Sequence, residues 1–127
     1  MKRQNISSGA RWEDVVGYSR AVRIGNIVEV AGTTAMDGDK MVGENDAYQQ
    51  TKFILSKIET ALKQAGASMK DVVRTRMYTT DISKWEEIGK AHGEFFKDIK
   101  PVTTMVEVKA LIDSRMLVEV EVSAVII

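Results

Sequence analysis

The segment near the end of the chain constrains the fold most, because two kinds of residue alternate along it without a break. From Leu117 to Ile126 the chain reads LVEVEVSAVI. Every second residue is apolar, as in a strand with one buried face. The residues between them include Glu119, Glu121 and Ser123. The segment predicts a strand with one core face, and its polar face can meet water, another subunit or a ligand.

The length, composition and charge of the sequence narrow the class of protein. The 127 residues suit a single domain over positions 1–127, and 44% are hydrophobic, enough for a packed core. The 18 basic and 18 acidic residues balance, which does not favour nucleic acid or an anionic membrane as a partner. The chain has no cysteine and one histidine, so disulfides, thiolate nucleophiles and Cys/His zinc sites are excluded. No signal peptide or membrane span is apparent, and we expect a cytoplasmic protein.

The first third of the chain predicts an arm, a hairpin and a loop. Residues 1–16 have no clear period and are expected to form an irregular arm held by Trp12. Gly25-Asn26 fits a tight turn between two short strands. The turn-rich segment 36–46 is expected to loop out, with at most a very short strand.

Two helices follow, each opened by the spacing of a capping box. Asp46 with Gln49 opens the first helix, which is expected to end at Gly66. Ser83 with Glu86 opens the second. Each helix has one apolar stripe, so both can cover the same face of a sheet.

Three further strands are predicted at 72–80, 102–108 and 117–126, which gives the element order β-β-α-β-α-β-β. This order predicts an α+β fold in which two helices cover one face of a mixed sheet. Nine apolar residues are expected on the covered face: Val28, Val30, Val73, Met77, Val106, Val108, Val118, Val120 and Val122.

The opposite face of the sheet mixes acids, arginines and a few apolar residues. The alternation places on it Glu29, Arg74, Arg76, Tyr78, Thr103, Met105, Glu107, Glu119, Glu121 and Ser123. One interpretation is a solvated face with weak cross-strand ion pairs. The other is a subunit interface with a pocket at its seam, because arginine, tyrosine and methionine are common at interfaces.

Several segments, in this order, resemble the Rid family, also called the YjgF-like or reactive intermediate deaminase family. They are GYSRAVRIGNIVEVAGTTA, ALKQAGA, DVVRTRMYTTDI, HGEFF, PVTTMVEV and LVEVEVSAV. The resemblance implies a chorismate-mutase-like fold and a homotrimer whose three sheets form a central barrel. It also implies ligand clefts between subunits, hydrolysis of imines or enamines to a carbonyl compound and ammonia, and no cofactor or metal.

Carried over by position, the resemblance implies two catalytic residues, Glu119 and Tyr18. Glu119 matches the glutamate that holds the attacking water, and Tyr18 matches a pocket tyrosine. Gly32 matches the glycine whose backbone meets the substrate.

Four other positions differ from the deaminase members of the family. Gly89 replaces an asparagine, Ala31 replaces the serine before the glycine, Met105 replaces a cysteine, and Thr103 replaces the arginine that binds the substrate carboxylate. A threonine cannot make the bidentate charged contact of an arginine. The predicted substrate-binding residues are Gly32, Thr103, Met105, Gly89 and Arg76.

Two arginines are candidates for the missing anchor. Arg76 can take that role or pair with Glu107 or Glu121, and Arg20 is the second candidate. His92 lies on the apolar side of its helix and is interpreted as a core residue.

The resulting hypothesis is a homotrimeric deaminase that acts on a small imine or enamine. One branch without the arginine includes 2-aminomuconate deaminases, so deamination does not require that arginine. A non-enzymatic trimer that binds a small metabolite or another protein is the alternative. Endoribonuclease activity, after an older family name, is a third, to which the charge balance gives little support.

Overall fold

The computed structural model describes residues 1–127, which form eight strands and three α-helices. In chain order these are β1 (Arg3–Ile6), α1 (Arg11–Val16), β2 (Ala21–Ile24), β3 (Ile27–Thr33), β4 (Met36–Asp37), β5 (Lys40–Met41), α2 (Ala47–Gln64), β6 (Val72–Thr79), α3 (Trp85–Phe96), β7 (Val102–Glu107) and β8 (Val118–Val125). The predicted α+β class is confirmed, with β1, α1 and the β4–β5 hairpin as additions to the predicted order. None of the helices combines the length and apolarity needed to cross a bilayer.

Six of the strands form one mixed sheet in the order β1-β2-β3-β8-β6-β7. Neighbouring strands are antiparallel except for β6 and β7, which are parallel and are joined through α3. Parallel neighbours need such a crossover connection, whereas β2 and β3 need only a tight turn. In this strand order β8, the last strand of the sequence, lies inside the sheet between β3 and β6, and β7 forms one edge.

The predicted turn and the first predicted helix are confirmed. Gly25 has a φ of +60° between the paired residues Ile24 and Ile27. The Asp46 side chain accepts a hydrogen bond of 3.0 Å from the backbone nitrogen of Gln49 at the start of α2. Both features satisfy the local backbone without help from distant residues.

The capping box predicted for Ser83 and Glu86 is wrong. Asp81 accepts a hydrogen bond of 3.0 Å from the backbone nitrogen of Ser83, and a short 3-10 turn over Ile82–Lys84 then leads into α3. An aspartate two residues ahead offers the same kind of acceptor as a serine, so the local sequence permits either start.

The core lies between the sheet and helices α2 and α3. Six of the nine residues predicted for the covered face are fully or almost fully buried: Val28, Val30, Met77, Val118, Val120 and Val122. The helices contribute Ile54, Leu55, Ile58, Leu62, Ile88 and Phe96. Burying one such side chain contributes about 1.5–3 kcal/mol, so this single layer accounts for most of the hydrophobic stabilisation.

Two residues predicted for the core face lie on the opposite face. Val73 is 47% exposed because a bulge between Val72 and Arg74 shifts the alternation of β6 by one residue. Val106 is 42% exposed because it pairs in register with Tyr78. We call this opposite side, which neither α2 nor α3 covers, the open face.

The N-terminal arm is structured, and Trp12 does not hold it. Trp12 is 45% exposed, whereas the neighbouring Glu13 is 5% exposed. The Glu13 carboxylate accepts hydrogen bonds from the Ser7 hydroxyl at 2.9 Å, from the Ser8 backbone nitrogen at 3.1 Å and from the Ser8 hydroxyl. Ile6, paired with Ala21, supplies the buried apolar contact. A buried, satisfied carboxylate therefore replaces the expected aromatic anchor.

Candidate functional site

The residues predicted for the site lie on two separate surfaces of one chain. The sequence prediction placed Thr103 and Met105 on the open face, and this is wrong. They pair in register with Thr75 and Met77, which are buried under the helices. Paired residues of neighbouring strands point to the same side of a sheet, so Thr103 and Met105 lie on the helical side, and Thr104 takes the open face.

The first surface is the glutamate cluster, formed by Tyr18, Arg20, Gly32 and Glu119. It sits where β3 bulges away from β8, since the ladder between them skips from Val30 to Thr33. Bulges often occur next to functional sites because they re-aim side chains. Glu119, on the open face of β8, lies directly over Gly32. A β-carbon added at Gly32 would come within 3.0 Å of the Glu119 Cδ.

Glu119 is a half-buried carboxylate without a partner. It accepts no hydrogen bond from the chain and is in none of its salt bridges. Burial raises the pKa of Glu119 above the ordinary value for a glutamate, Arg20 lowers it in part, and Glu121 adds to the rise. A carboxyl group whose pKa is raised by burial in this way is a candidate general acid or base.

Arg20 supports the cluster from one side. Its guanidinium donates to the Gly32 carbonyl at 3.1 Å and to the Thr33 hydroxyl at 3.2 Å, and it lies 5.7 Å from the centre of the Tyr18 ring. Its buried Nε has no partner. Arg20 thus fixes the bulge backbone under Glu119 and adds a positive charge to the site without forming an ion pair with it.

A lysine from α2 holds the chain just beyond the bulge. Lys57 Nζ donates to the backbone carbonyls of Thr34 at 2.9 Å and Met36 at 2.8 Å. Burial, followed by the charge of Arg20, lowers the pKa of Lys57. The two hydrogen bonds connect the backbone just beyond the bulge to helix α2.

Arg76 does not form the ion pair that was its alternative role. It is exposed and opposite Glu121 in register, but it forms no salt bridge with Glu121 or Glu107. The Tyr78 hydroxyl donates to Glu121 instead, and Glu107 accepts a hydrogen bond of 2.9 Å from the backbone nitrogen of Ile82. The Arg76 guanidinium therefore remains available on the open face.

A groove adjoins the glutamate cluster on the open face. Its lining includes Tyr18, Val22, Glu29, Ala31 and Glu121. Because Ala31 precedes Gly32 and Glu121 is two residues along the strand from Glu119, a molecule in this groove would lie beside the catalytic candidate. No group of three or more His, Cys, Asp or Glu side chains is placed to hold a metal ion.

The second surface lies at the sheet edge and contains the threonine–histidine chain, formed by Thr103, Thr75 and His92. The Thr103 and Thr75 hydroxyl oxygens are 2.8 Å apart, and the Thr75 hydroxyl is 2.9 Å from His92 Nε2. Thr75 is fully buried, whereas Thr103 is exposed. Burial lowers the pKa of His92, and its ring packs 4.7 Å from that of Phe96. The chain therefore joins a half-buried imidazole to the surface.

Gly89 lies near this second surface, one turn of α3 before His92. A β-carbon there would meet nothing within 4 Å, so the glycine leaves open space. Alternation places Thr75 on the covered face with Met77, but its contact with Thr103 depends on the register between β6 and β7, which the sequence does not show. A signal for Arg20 was present in its spacing from Tyr18, two residues away, and the structure brings the two side chains together.

Comparison with known proteins gives consistent results along the whole chain. The sequence profile of the family described as Endoribonuclease L-PSP matches residues 9–126. The chain is 42% identical to an uncharacterized protein of Streptomyces coelicolor, over 95% of this chain and 90% of that protein. It is 31% identical to the 3-aminoacrylate deaminase RutC of Acinetobacter baylyi, over 81% of this chain and 82% of that protein.

The fold is also that of a solved structure. A Mycobacterium tuberculosis protein, described as a member of the highly conserved YjgF/YER057c/UK114 family, is 53% identical and superposes with a TM-score of 0.89. The match covers 98% of this chain and all of the other, 100%. With the sequence profile, this shows that the chain belongs to the Endoribonuclease L-PSP family, that is, the YjgF or Rid family.

Proposed function

We propose that this protein is a deaminase that hydrolyses the C=N bond of a small imine or enamine, with Glu119 as general base. The observation that carries the proposal is the Glu119 carboxylate, which is half-buried, has a raised pKa and lacks any partner in its own chain. Carboxylates of a purely structural role are normally paired. The identity to a 3-aminoacrylate deaminase supports the reaction class.

The reaction needs one water molecule and no external oxidant or reductant. Ionised Glu119 accepts a proton from water while the water oxygen attacks the carbon of the protonated imine, which gives a carbinolamine with a neutral amino group. Glu119 returns this proton to the amino group, and the C–N bond then breaks as the carbinol hydroxyl gives up its proton to Glu119. A carbonyl compound and ammonia leave, the ammonia takes that last proton, and Glu119 is ionised again. A carboxylate whose pKa is raised toward the pH of the reaction can both accept the proton from water and return it to the nitrogen. Tyr18 lines the groove, and its proposed role is to donate a hydrogen bond to the ligand.

The proposal includes a homotrimer, with each cleft built from two subunits. The glutamate cluster and the threonine–histidine chain lie on opposite sides of the sheet within one chain, so a single ligand contacts both only between copies. The open face also carries exposed apolar side chains, Ile27, Val102 and Val106, and the outer edge of β7 has no strand partner. Unpaired strand edges and apolar patches of this kind are usually covered.

A direct assay compares three imines or enamines generated enzymatically in the presence of the purified protein. These are 2-iminopropionate, 3-aminoacrylate and 2-aminomuconate, and the readout is ammonia release above the spontaneous rate. Glu119→Gln tests the general base, since it keeps the shape and loses the basic oxygen. Glu59→Gln is the matched control, because Glu59 lies on α2 away from the groove and only pairs with Lys63, 3.9 Å away.

The expected result is acceleration of at least one substrate, with a loss of about 10²–10⁴-fold in Glu119→Gln and none in Glu59→Gln. Equal turnover by wild type and Glu119→Gln would refute the role of Glu119. Saturable binding of the same compounds without ammonia release would instead support a metabolite-binding trimer.

Oligomeric state is tested separately. Light scattering at micromolar concentration is expected to give three times the chain mass. A folded monomer would refute the shared clefts.

A further inference from the structure

The strongest unused feature of the molecule is the only histidine of the chain, which the proposed reaction does not involve. His92 lies on the side of the sheet away from Glu119, yet two hydrogen bonds connect it to the exposed hydroxyl of Thr103. No charged group takes part in this connection. His92 is half-buried, and its Nε2 is connected to the exposed Thr103 hydroxyl through the hydroxyl of the fully buried Thr75.

The threonine–histidine chain has two states of opposite polarity. When His92 carries its proton on Nε2, it donates to Thr75, Thr75 donates to Thr103, and the Thr103 proton points outward. The Pro101 carbonyl, 3.2 Å from the Thr103 oxygen, can accept that proton when no ligand is present. When the proton is on Nδ1, each hydroxyl donates inward, and Thr103 offers only lone pairs. The tautomer of His92 thus decides whether Thr103 is a donor or an acceptor.

We propose that Thr103 binds a neutral hydrogen-bonding group of the ligand, such as an amide, hydroxyl or carbonyl. His92, acting through Thr75, decides whether Thr103 donates or accepts that hydrogen bond. The proposal rests on the proposed function for its placement of Thr103 in the substrate cleft. It names the substrate class as small imines or enamines whose second polar group is uncharged.

The preference for a neutral group follows from the geometry. A carboxylate only accepts hydrogen bonds, so it can use one of the two states and gains one bond from an uncharged hydroxyl. A hydrogen bond from the Thr103 hydroxyl to a carboxylate is charge-assisted, but no cation takes part in this connection to offset the cost of desolvating the carboxylate. An amide or hydroxyl has a smaller desolvation cost than an ionised carboxylate, and it can bind to Thr103 in either state of the threonine–histidine chain.

The test uses the nitrogen signals of His92, which are assigned without ambiguity because the chain has one histidine. Protein labelled with ¹⁵N-histidine is titrated with pyruvamide and with pyruvate, an uncharged and an anionic carbonyl compound of nearly the same shape. The Nε2 and Nδ1 shifts report the tautomer populations. Thr103→Val and Thr75→Val each remove one link while keeping the side-chain volume.

We expect a saturable tautomer shift with pyruvamide, an apparent Kd for pyruvate at least about tenfold weaker, and no shift in either variant. Thr103 is exposed, so Thr103→Val keeps the test valid if Thr75→Val folds poorly. A response as strong with pyruvate, a response that persists in Thr103→Val, or no response to pyruvamide would overturn the proposal. The titration needs no turnover, so a protein that shows the shift but releases no ammonia refutes the deaminase and leaves this inference standing.

Discussion

Replacing Gly32 by alanine tests the catalytic geometry most directly, because it moves Glu119 without altering any ionisable group. A β-carbon at Gly32 would come within 3.0 Å of the Glu119 Cδ and would overlap the nearer carboxylate oxygen. The backbone of Gly32 is not left-handed, so alanine fits it without strain. The carboxylate is the far end of a flexible side chain, and it must therefore give way.

The size of the effect follows from these distances. Ordinary contacts begin near 3.4 Å, so the carboxylate has to move on the order of 1 Å, and a misplacement of this size can cost about 10²-fold in rate. The free energy of unfolding should change by less than about 1 kcal/mol. We expect kcat/KM for the best imine substrate to fall about 10²-fold, while the urea midpoint remains close to that of the wild type.

The matched control is Gly93→Ala in α3, where a β-carbon meets nothing within 4 Å. This variant should keep full activity and gain up to about 1 kcal/mol of stability from helix propensity. If Gly32→Ala folds normally and retains wild-type kcat/KM, then the carboxylate position seen here is irrelevant to catalysis, and the reasoning fails.

Other variants test the electrostatics and the buried polar groups. Glu119 acts in its ionised form, so kcat/KM should fall as the pH drops through its pKa; Arg20→Gln should move this acid limb to higher pH and Glu121→Gln to lower pH. Shifts in the same direction would contradict the assignment. Glu13→Ala should lower the free energy of unfolding by about 2–3 kcal/mol at neutral pH. Burial raises the pKa of Glu13, but hydrogen bonds from two serines outweigh it and lower the pKa, so the difference in urea stability should narrow as the pH falls through that folded-state value. Gln50→Leu should cost about 3 kcal/mol in urea denaturation, because the buried Gln50 amide bonds three backbone groups of two loops.

The sequence predicts most of the fold where hydrophobic periodicity is strong. The alternation of β8 and the helical stripe of α2 each mark one buried face, and Asp46 marks the start of α2. Strand β1 was missed because only Ile6 of its four residues is buried, so it has no pattern to detect. In β6 the bulge between Val72 and Arg74 places Val73 on the open face, and nothing in the local sequence indicates a bulge.

The site was only partly predictable for the same reason. Glu119 and Gly32 do meet, as the resemblance to the family implied, but they meet at the bulge of β3, which the alternation of that strand does not indicate. Thr103 and Met105 were assigned to the wrong face, since the edge strand β7 is exposed on most of its residues and shows no contrast between its two sides. The link from Thr103 to His92 depends on the register between β6 and β7, which is a long-range property of the fold.

The central position of β8 has a consequence for how the chain folds as it is made. Strands β1 to β3 form one antiparallel set, β6 and β7 form another, and only the last strand of the sequence joins them. Until β8 has left the ribosome, β3 and β6 each present an unsatisfied inner edge, and such edges invite pairing with other chains. The contacts that close the sheet span most of the sequence, so they form late and slowly compared with the hairpins. Nascent chains of this protein should thus depend on chaperones until β8 can pair, and truncation just before Val118 should yield an aggregating product rather than a smaller folded one.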